Sequence, residues 1–259
     1  AAYYSLWDRD QRLIYEINVE GTRKILEASQ KKGIEKIVYT STVGCIGLND
    51  DTTPATEKTF FNKNTLSNDY KKSKYQAEHI ALEFARNGLP VVIVNPSTPV
   101  GPRDIKPTPT GKIILDFLNR EMPAYLDTGL NLIDVKDCAK GHILAEKKGV
   151  PGERYILGNQ NLSLFDILVM LETITGLKAP SIKMPFWLAL SAGWICEMVS
   201  NHITGKPPAV PLAGVKMAKY FMYFDSSKAV RKLGLPQNPV ENALRQSVDW
   251  FKNNNYVTR

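Results

Sequence analysis

Two runs of β-branched residues constrain this chain more than any other feature: Lys36-Ile37-Val38-Tyr39-Thr40-Ser41-Thr42 and Leu89-Pro90-Val91-Val92-Ile93-Val94-Asn95-Pro96. Each carries a continuous apolar stretch, the pattern of a strand covered on both faces. Between them, residues from about Asp69 to Asn87 read as a helix, with Gly88 placed to close it. Strand, helix and strand of this kind form a parallel crossover, and such sheets take ligands beyond the carboxyl ends of their strands. Two polar clusters fall at those ends. One is Thr40-Ser41-Thr42, followed by a turn with Gly44 and Gly47; the other is Pro96-Ser97-Thr98.

The helix carries Tyr70-Lys71-Lys72-Ser73-Lys74, which sets a phenol and an ammonium one turn apart on one face. A free tyrosine ionises near pH ~10, so acid or base service near neutrality requires the phenolate to be favoured by about three units, roughly 4 kcal/mol. A fixed cation beside the ring supplies part of that. A solvated, Lys-rich helix face produces the same spacing, and the hydroxyl clusters at the neighbouring strand ends raise the pair above that reading.

Taken together, the hydroxyl cluster, the Tyr-x-x-x-Lys helix and the segment Asn95-Pro96-Ser97-Thr98-Pro99-Val100-Gly101-Pro102 resemble the extended short-chain dehydrogenase/reductase family of NAD-dependent epimerases, dehydratases and dihydroflavonol-type reductases. Asn18-Val19-Glu20-Gly21-Thr22 is similar to the helix that precedes the hydroxyl strand in that family. Leu132-Ile133-Asp134-Val135-Lys136-Asp137 is similar to a signature of its substrate domain. The subgroup most like this chain is the hopanoid-associated sugar epimerases, over essentially the whole sequence.

The resemblance implies an α/β, Rossmann-type doubly wound parallel sheet with a smaller, mainly helical substrate domain. It implies Tyr70 as general acid/base, Lys74 lowering its pKa and holding the nicotinamide ribose, and Thr42 in the place of the catalytic serine, with Asn18 completing the catalytic group. Ser41, Pro96 and Ser97 join Tyr70 and Lys74 as cofactor contacts. The cofactor implied is NAD or NADP, and the substrate a small molecule, a sugar or sugar-nucleotide bearing a secondary alcohol. A dihydroflavonol-type ketone reductase and a non-catalytic dinucleotide-binding regulator are the alternatives, and a homodimer is admitted. Successive strand residues face opposite ways, so Ser41 and Thr42 cannot both point into one site unless the strand has ended; Thr42 is placed first.

Two departures accompany the resemblance. The chain has no Gly-x-Gly-x-x-Gly, the turn that brings backbone amides and a helix N-terminus to a dinucleotide pyrophosphate. It opens on Ala1-Ala2-Tyr3-Tyr4-Ser5-Leu6-Trp7, which is similar to the middle of the family's fold, so the expectation is an N-terminally truncated cofactor domain. In the substrate-domain signature, Asp134 stands where the family often has histidine, replacing a donor with an acceptor. No residue there is therefore carried over as a substrate ligand.

With 259 residues and 43% hydrophobic composition, the chain can bury a sizeable core. We expect residues 1–100 in the cofactor domain and 101–259 mainly in the substrate domain, with segments returning to the Rossmann core. The net charge of +7 is scattered among acids along helices, which argues against nucleic acid and suits phosphorylated ligands. Three widely spaced cysteines, Cys45, Cys138 and Cys196, suggest a reducing, cytoplasmic setting without disulfides. His79, His142 and His202 have no metal-ligand spacing. The apolar stretch Pro185 to Val199 is shorter than the ~20 residues of a membrane span. It is expected to pack inside the protein rather than lie on a membrane surface, because a Lys/Arg-rich polar face is missing.

Past Gly101, a loop dense in Pro and Thr leads to a helix beginning near Gly111, with Thr110 its expected N-cap. Arg103 and Lys112 are candidates for a substrate phosphate, with solvated loop cations the equal alternative. Ala124-Tyr125-Leu126 and Asn131-Leu132-Ile133 read as short strands. Helices are expected from Asp137 to Lys147, Ser163 to Thr175, Phe186 to Ser200, Leu212 to Lys219, Ser226 to Leu233 and Val240 to Asn253.

Overall fold

The computed structural model describes residues 2–4, 11–49, 51–61 and 68–258. The first sheet consists of β1 (Ile37–Thr40), β2 (Val91–Pro96) and β5 (Arg154–Leu157), all parallel, in the order β1-β2-β5. Register runs from Ile37 opposite Val91 to Thr40 opposite Val94, and from Ile93 opposite Arg154 to Pro96 opposite Leu157.

Alternation along β2 explains why its residues are apolar throughout. Val91 and Ile93 pack with Leu26 of α2 (Gly21–Lys31) and with Ile80 and Ala81 of α3 (Asp69–Arg86). Val92 and Val94 face the other way, into Cys138 and Ala145 of α5 (Val135–Lys148) and Ala229 and Leu233 of α9 (Ser227–Leu233). Both faces are therefore covered, each buried Val or Ile side chain contributing about 1.5–3 kcal/mol. The result is the doubly wound parallel arrangement. Because β5, α5 and α9 all come from beyond residue 100, the two layers of the molecule interleave in sequence.

The second sheet holds β3 (Thr98–Val100), β4 (Gly129–Asp134), β6 (Gln160–Ser163) and β7 (Phe221–Met222). β3 and β7 run parallel to β4, and β6 antiparallel. Its core is Leu132 with Ile114 and Phe117 of α4 (Pro109–Leu118), Leu168 and Leu171 of α6 (Leu164–Thr175), and Leu244 and Phe251 of α10 (Val240–Asn253).

Three local expectations change. The N-cap of α4 is Thr108, not Thr110: Thr108 Oγ1 accepts from Gly111 N at 3.1 Å, and Pro109 opens the first turn, where its missing N–H is harmless. Tyr125 makes an isolated bridge to Lys183 instead of a strand. Arg154–Leu157, which carries no alternation and only four residues, is a strand of the first sheet.

Candidate active site

Ser41 and Thr42 follow the carboxyl end of β1, Lys74 of α3 reaches it, and Tyr70 stands one turn before Lys74. Asn68 caps α3, its side chain accepting from Lys71 N at 2.8 Å, and so fixes the turn that carries Tyr70. One turn later, Lys74 Nζ donates to the Thr40 carbonyl at 2.9 Å and lies 5.1 Å from the centroid of the Tyr39 ring. Burial pulls the Lys74 ammonium below its ordinary value, opposed by charges that include Glu78.

Tyr70 packs edge-on against Tyr4, with ring centroids 4.4 Å apart and planes at 83°. Burial raises the Tyr70 phenol above its ordinary value, and Tyr4 adds to the rise. Burial is the largest cause, and the Lys74 ammonium is bonded to the Thr40 carbonyl.

Asn18 lies in a π-helical turn, Glu16–Glu20. Its Nδ2 donates to Ser73 Oγ at 2.9 Å and to the Tyr3 carbonyl at 2.9 Å, while its Oδ1 accepts from Tyr3 N at 2.7 Å. Ser73 Oγ in turn donates to the Tyr70 carbonyl at 2.9 Å. One amide thus ties the Tyr3–Tyr4 segment to the turn that holds Tyr70. Of the opening run, Ala1 and Ser5 to Trp7 lie outside the described residues.

β1 ends at Thr40, and the two hydroxyls beyond it part company. Ser41 is buried and donates its proton to Glu78 Oε2. Thr42 is half-exposed and accepts from Gly44 N at 3.2 Å, which leaves its own O–H free to donate. Ser41 therefore faces the interior, away from the role of a cofactor donor, and Thr42 is the hydroxyl on the open side. Gly47 is required for close packing here: a Cβ would stand 1.9 Å from the Phe60 carbonyl oxygen.

Glu78 was not among the residues read from sequence, yet it organises the sheet end. It is fully buried and accepts from Ser41, from Asn95 Nδ2 at 2.7 Å and from Arg154 at 3.3 Å. Asn95 also donates to the Thr42 carbonyl at 3.0 Å. One carboxylate on α3 thereby fixes the ends of β1 and β2 against β5. The signal was spacing: Lys71, Lys74 and Glu78 form one helical stripe, and all three are buried. At the end of β2, Pro96 is half-buried, while the buried Ser97 hydroxyl and Asn95 Oδ1 have no partner among the described residues.

The other sequence candidates lie elsewhere. Lys112 pairs with Asp116 at 2.7 Å along α4. Asp134 caps α5, accepting from Lys136 N at 2.8 Å, which accounts for an acceptor at that position. A cleft of about 480 Å³ lined by Asn159, Asn161, Asp225, Ser227 and Arg231 contains none of the expected catalytic residues. Among the described residues, no group of three or more His, Cys, Asp or Glu side chains is placed to hold a metal.

Residues 1–158 match the model of the NAD dependent epimerase/dehydratase family. This chain belongs to that family. It is 53% identical, over 99% of its length and 76% of the relative's, to a Synechocystis sp. protein provisionally named a dihydroflavonol 4-reductase. The crystal structure of gox2253 superposes with a TM-score of 0.85 at 42% identity, covering 100% of this chain and 78% of that one. A Pseudomonas aeruginosa nucleoside-diphosphate-sugar epimerase, PA4631, follows at 0.77 and 27% identity, covering 93% and 76%.

The family's dinucleotide fits what the sheet end presents. Solved structures of the same fold hold NAD or NADPH. Here the Lys74 ammonium, the unpartnered Ser97 hydroxyl and Asn95 Oδ1 are the groups that would meet ribose hydroxyls, at the carboxyl ends of the strands where such ligands bind.

Proposed function

We propose that the intact protein catalyses hydride exchange at a secondary alcohol or its ketone, with Tyr70 as the proton-transferring residue and a sugar or sugar-nucleotide as substrate. What supports the reading is the Lys74 ammonium on the Thr40 carbonyl beside Thr42, with Tyr70 one turn earlier on α3, its ring against Tyr4 and its backbone carbonyl tied to Asn18 through Ser73. NAD or NADP supplies the hydride acceptor or donor. Tyr70 gives a proton to the reacting oxygen or takes one from it, and Thr42 donates a hydrogen bond to that oxygen. Lys74, Pro96 and Ser97 would hold the nicotinamide ribose. Asn18 acts as a positioning residue, since its amide is already occupied by Tyr3 and Ser73.

A second reading, reduction of a less polar ketone, is favoured by the 53% identity to a protein named for dihydroflavonol reduction. Both use the same proton donor and differ in which substrate the second layer admits. The test is Tyr70→Phe in the intact protein, followed by nicotinamide absorbance with nucleotide sugars and with aromatic ketones. Turnover should fall by about 10²–10⁴-fold while cofactor affinity stays within a few-fold. Turnover equal to wild type would remove Tyr70 from the chemistry.

A further inference from the structure

Lys71 is a buried cation without a counter-charge. Only 7% of the residue is exposed, and its ammonium makes no hydrogen bond or ion pair among the described residues. The neighbouring cations of α3 are engaged, Lys74 with the Thr40 carbonyl at 2.9 Å and Lys72 with Asp69 at 3.4 Å. The neighbouring carboxylates are taken as well. Asp69 also accepts from Tyr15 at 3.0 Å, and Glu78, two turns along the stripe that starts at Lys71, is bonded from three sides. Burial draws the Lys71 ammonium below its ordinary value; the group that opposes this is the Cys45 thiol, itself pushed up to about 12 and so neutral near pH ~7. An uncompensated buried charge costs stability, and a methionine would fill the same space without it. The anion that answers this lysine therefore comes from outside the chain.

Gly44, in the turn after β1, shows where the side chain leads. A Cβ on Gly44 would stand 3.9 Å from Lys71 Cε and 3.6 Å from Thr42 Oγ1, so the end of the lysine and the Thr42 hydroxyl flank one spot. Asn95 Oδ1 and Ser97 Oγ are sealed and unpartnered, whereas the Lys71 ammonium is not among the sealed atoms and keeps an opening to solvent. A dinucleotide does not supply the anion here. Its pyrophosphate belongs at a glycine-rich turn after the first strand of such folds, while Thr42 and Tyr70 serve the nicotinamide end.

We propose that Lys71 is a specificity-determining residue, its ammonium receiving a carboxylate or phosphate that the substrate carries close to its reacting carbon. Closeness to that carbon rests on the hydride-transfer reading of Thr42 and Tyr70; the anion site itself does not. A charge-assisted hydrogen bond of this kind favours an anionic ligand over its neutral analogue by about 10–100-fold.

The test is calorimetric titration of the intact protein, saturated with NAD or NADP, with two probe pairs. UDP-glucuronate against UDP-glucose examines a carboxylate, and glucose 6-phosphate against glucose a phosphate. Wild type should prefer the anionic member of at least one pair by about tenfold or more. Lys71→Met should erase that preference, leave cofactor affinity within a few-fold, and melt at or above the wild-type midpoint, because an unpaired charge has gone. Lys72→Met, exposed on the same helix, should keep the preference. So should Tyr70→Phe, which removes the proposed proton donor but no charge, so that failure of the hydride-transfer reading is distinguishable from failure of the anion site. Absence of any preference in both pairs would overturn the proposal, as would a preference that survives Lys71→Met. A Lys71→Met protein that fails to fold, or melts well below wild type, would overturn it too, since the ammonium would then be holding the fold rather than waiting for a ligand.

Discussion

Replacing Glu78 by Gln tests whether one buried carboxylate holds the active-site end of the sheet together. The side chain is fully buried and receives three donors: Ser41 Oγ, Asn95 Nδ2 at 2.7 Å and Arg154 at 3.3 Å. Gln keeps the volume but removes the charge and turns one acceptor into a donor. Hydrogen bonds to a charged group contribute about 1.5–3 kcal/mol against 0.5–1.5 for neutral pairs, so three of them weaken together. The Arg154 side chain is 26% exposed and can turn its guanidinium toward water, which limits its share. A net loss of about 2–3 kcal/mol results, and for a chain of this size that lowers Tm by about 4–12 °C.

Glu78→Leu should be worse, at about 3–5 kcal/mol, because it strands all three donors. Glu83→Gln, exposed on the same helix, should stay within about 0.5 kcal/mol of wild type. The assay is chemical denaturation followed by circular dichroism, with the thermal midpoint as a second measure. A Glu78→Gln protein within about 0.5 kcal/mol of wild type would refute the reasoning, since three donors cannot lose their charged acceptor so cheaply.

Thr42→Val should slow the chemical step by about 10²-fold with little change in stability, as loss of a single donor to a developing oxyanion does. Ser41→Ala should do the reverse, lowering stability by about 1–3 kcal/mol through its lost bond to Glu78 while turnover holds within a few-fold; exchange of these two outcomes would mean that the hydroxyls are misassigned. Burial pushes the Cys45 and Cys138 thiols up to about 12, so both stay protonated at pH 8; a thiol-labelling time course read by mass spectrometry should modify Cys196 alone in the native protein and all three after unfolding.

What the sequence disclosed is what local physics determines. β2 and α3 announced themselves through an unbroken β-branched run and through a helix bounded by Gly88, whose φ of +94° only glycine adopts without strain. Helix α10 begins and ends where its apolar spacing placed it, at Val240 and Asn253. The Glu78 network was hidden because its partners lie 37, 17 and 76 residues away, and a glutamate on an amphipathic helix reads first as solvated. For α7 (Phe186–Val199), apolar content suggested burial, but small residues permit closer helix packing than large ones. Ala189 and Gly193 therefore took the inner face and left the tryptophans outside.

The protonation pattern bears on the direction of the proposed chemistry. Burial keeps the Tyr70 phenol in its acid form, Thr42 accepts from Gly44 and so retains its own proton, and Lys74 presents an ammonium one turn away. On our reading these three groups are the donors a substrate oxygen would meet, while the Glu78 carboxylate nearby is already bonded from three sides. Such a site stabilises negative charge growing on an oxygen, which is the demand of a ketone being reduced. To act as a base instead, Tyr70 needs Lys74 to leave the Thr40 carbonyl and turn toward the phenol, where its charge would favour the phenolate. On our reading, that single rotation of the Lys74 side chain separates the proton-giving from the proton-taking state, and the hydrogen bond it must first break joins α3 to the end of β1 beside the Ser41–Glu78 bond.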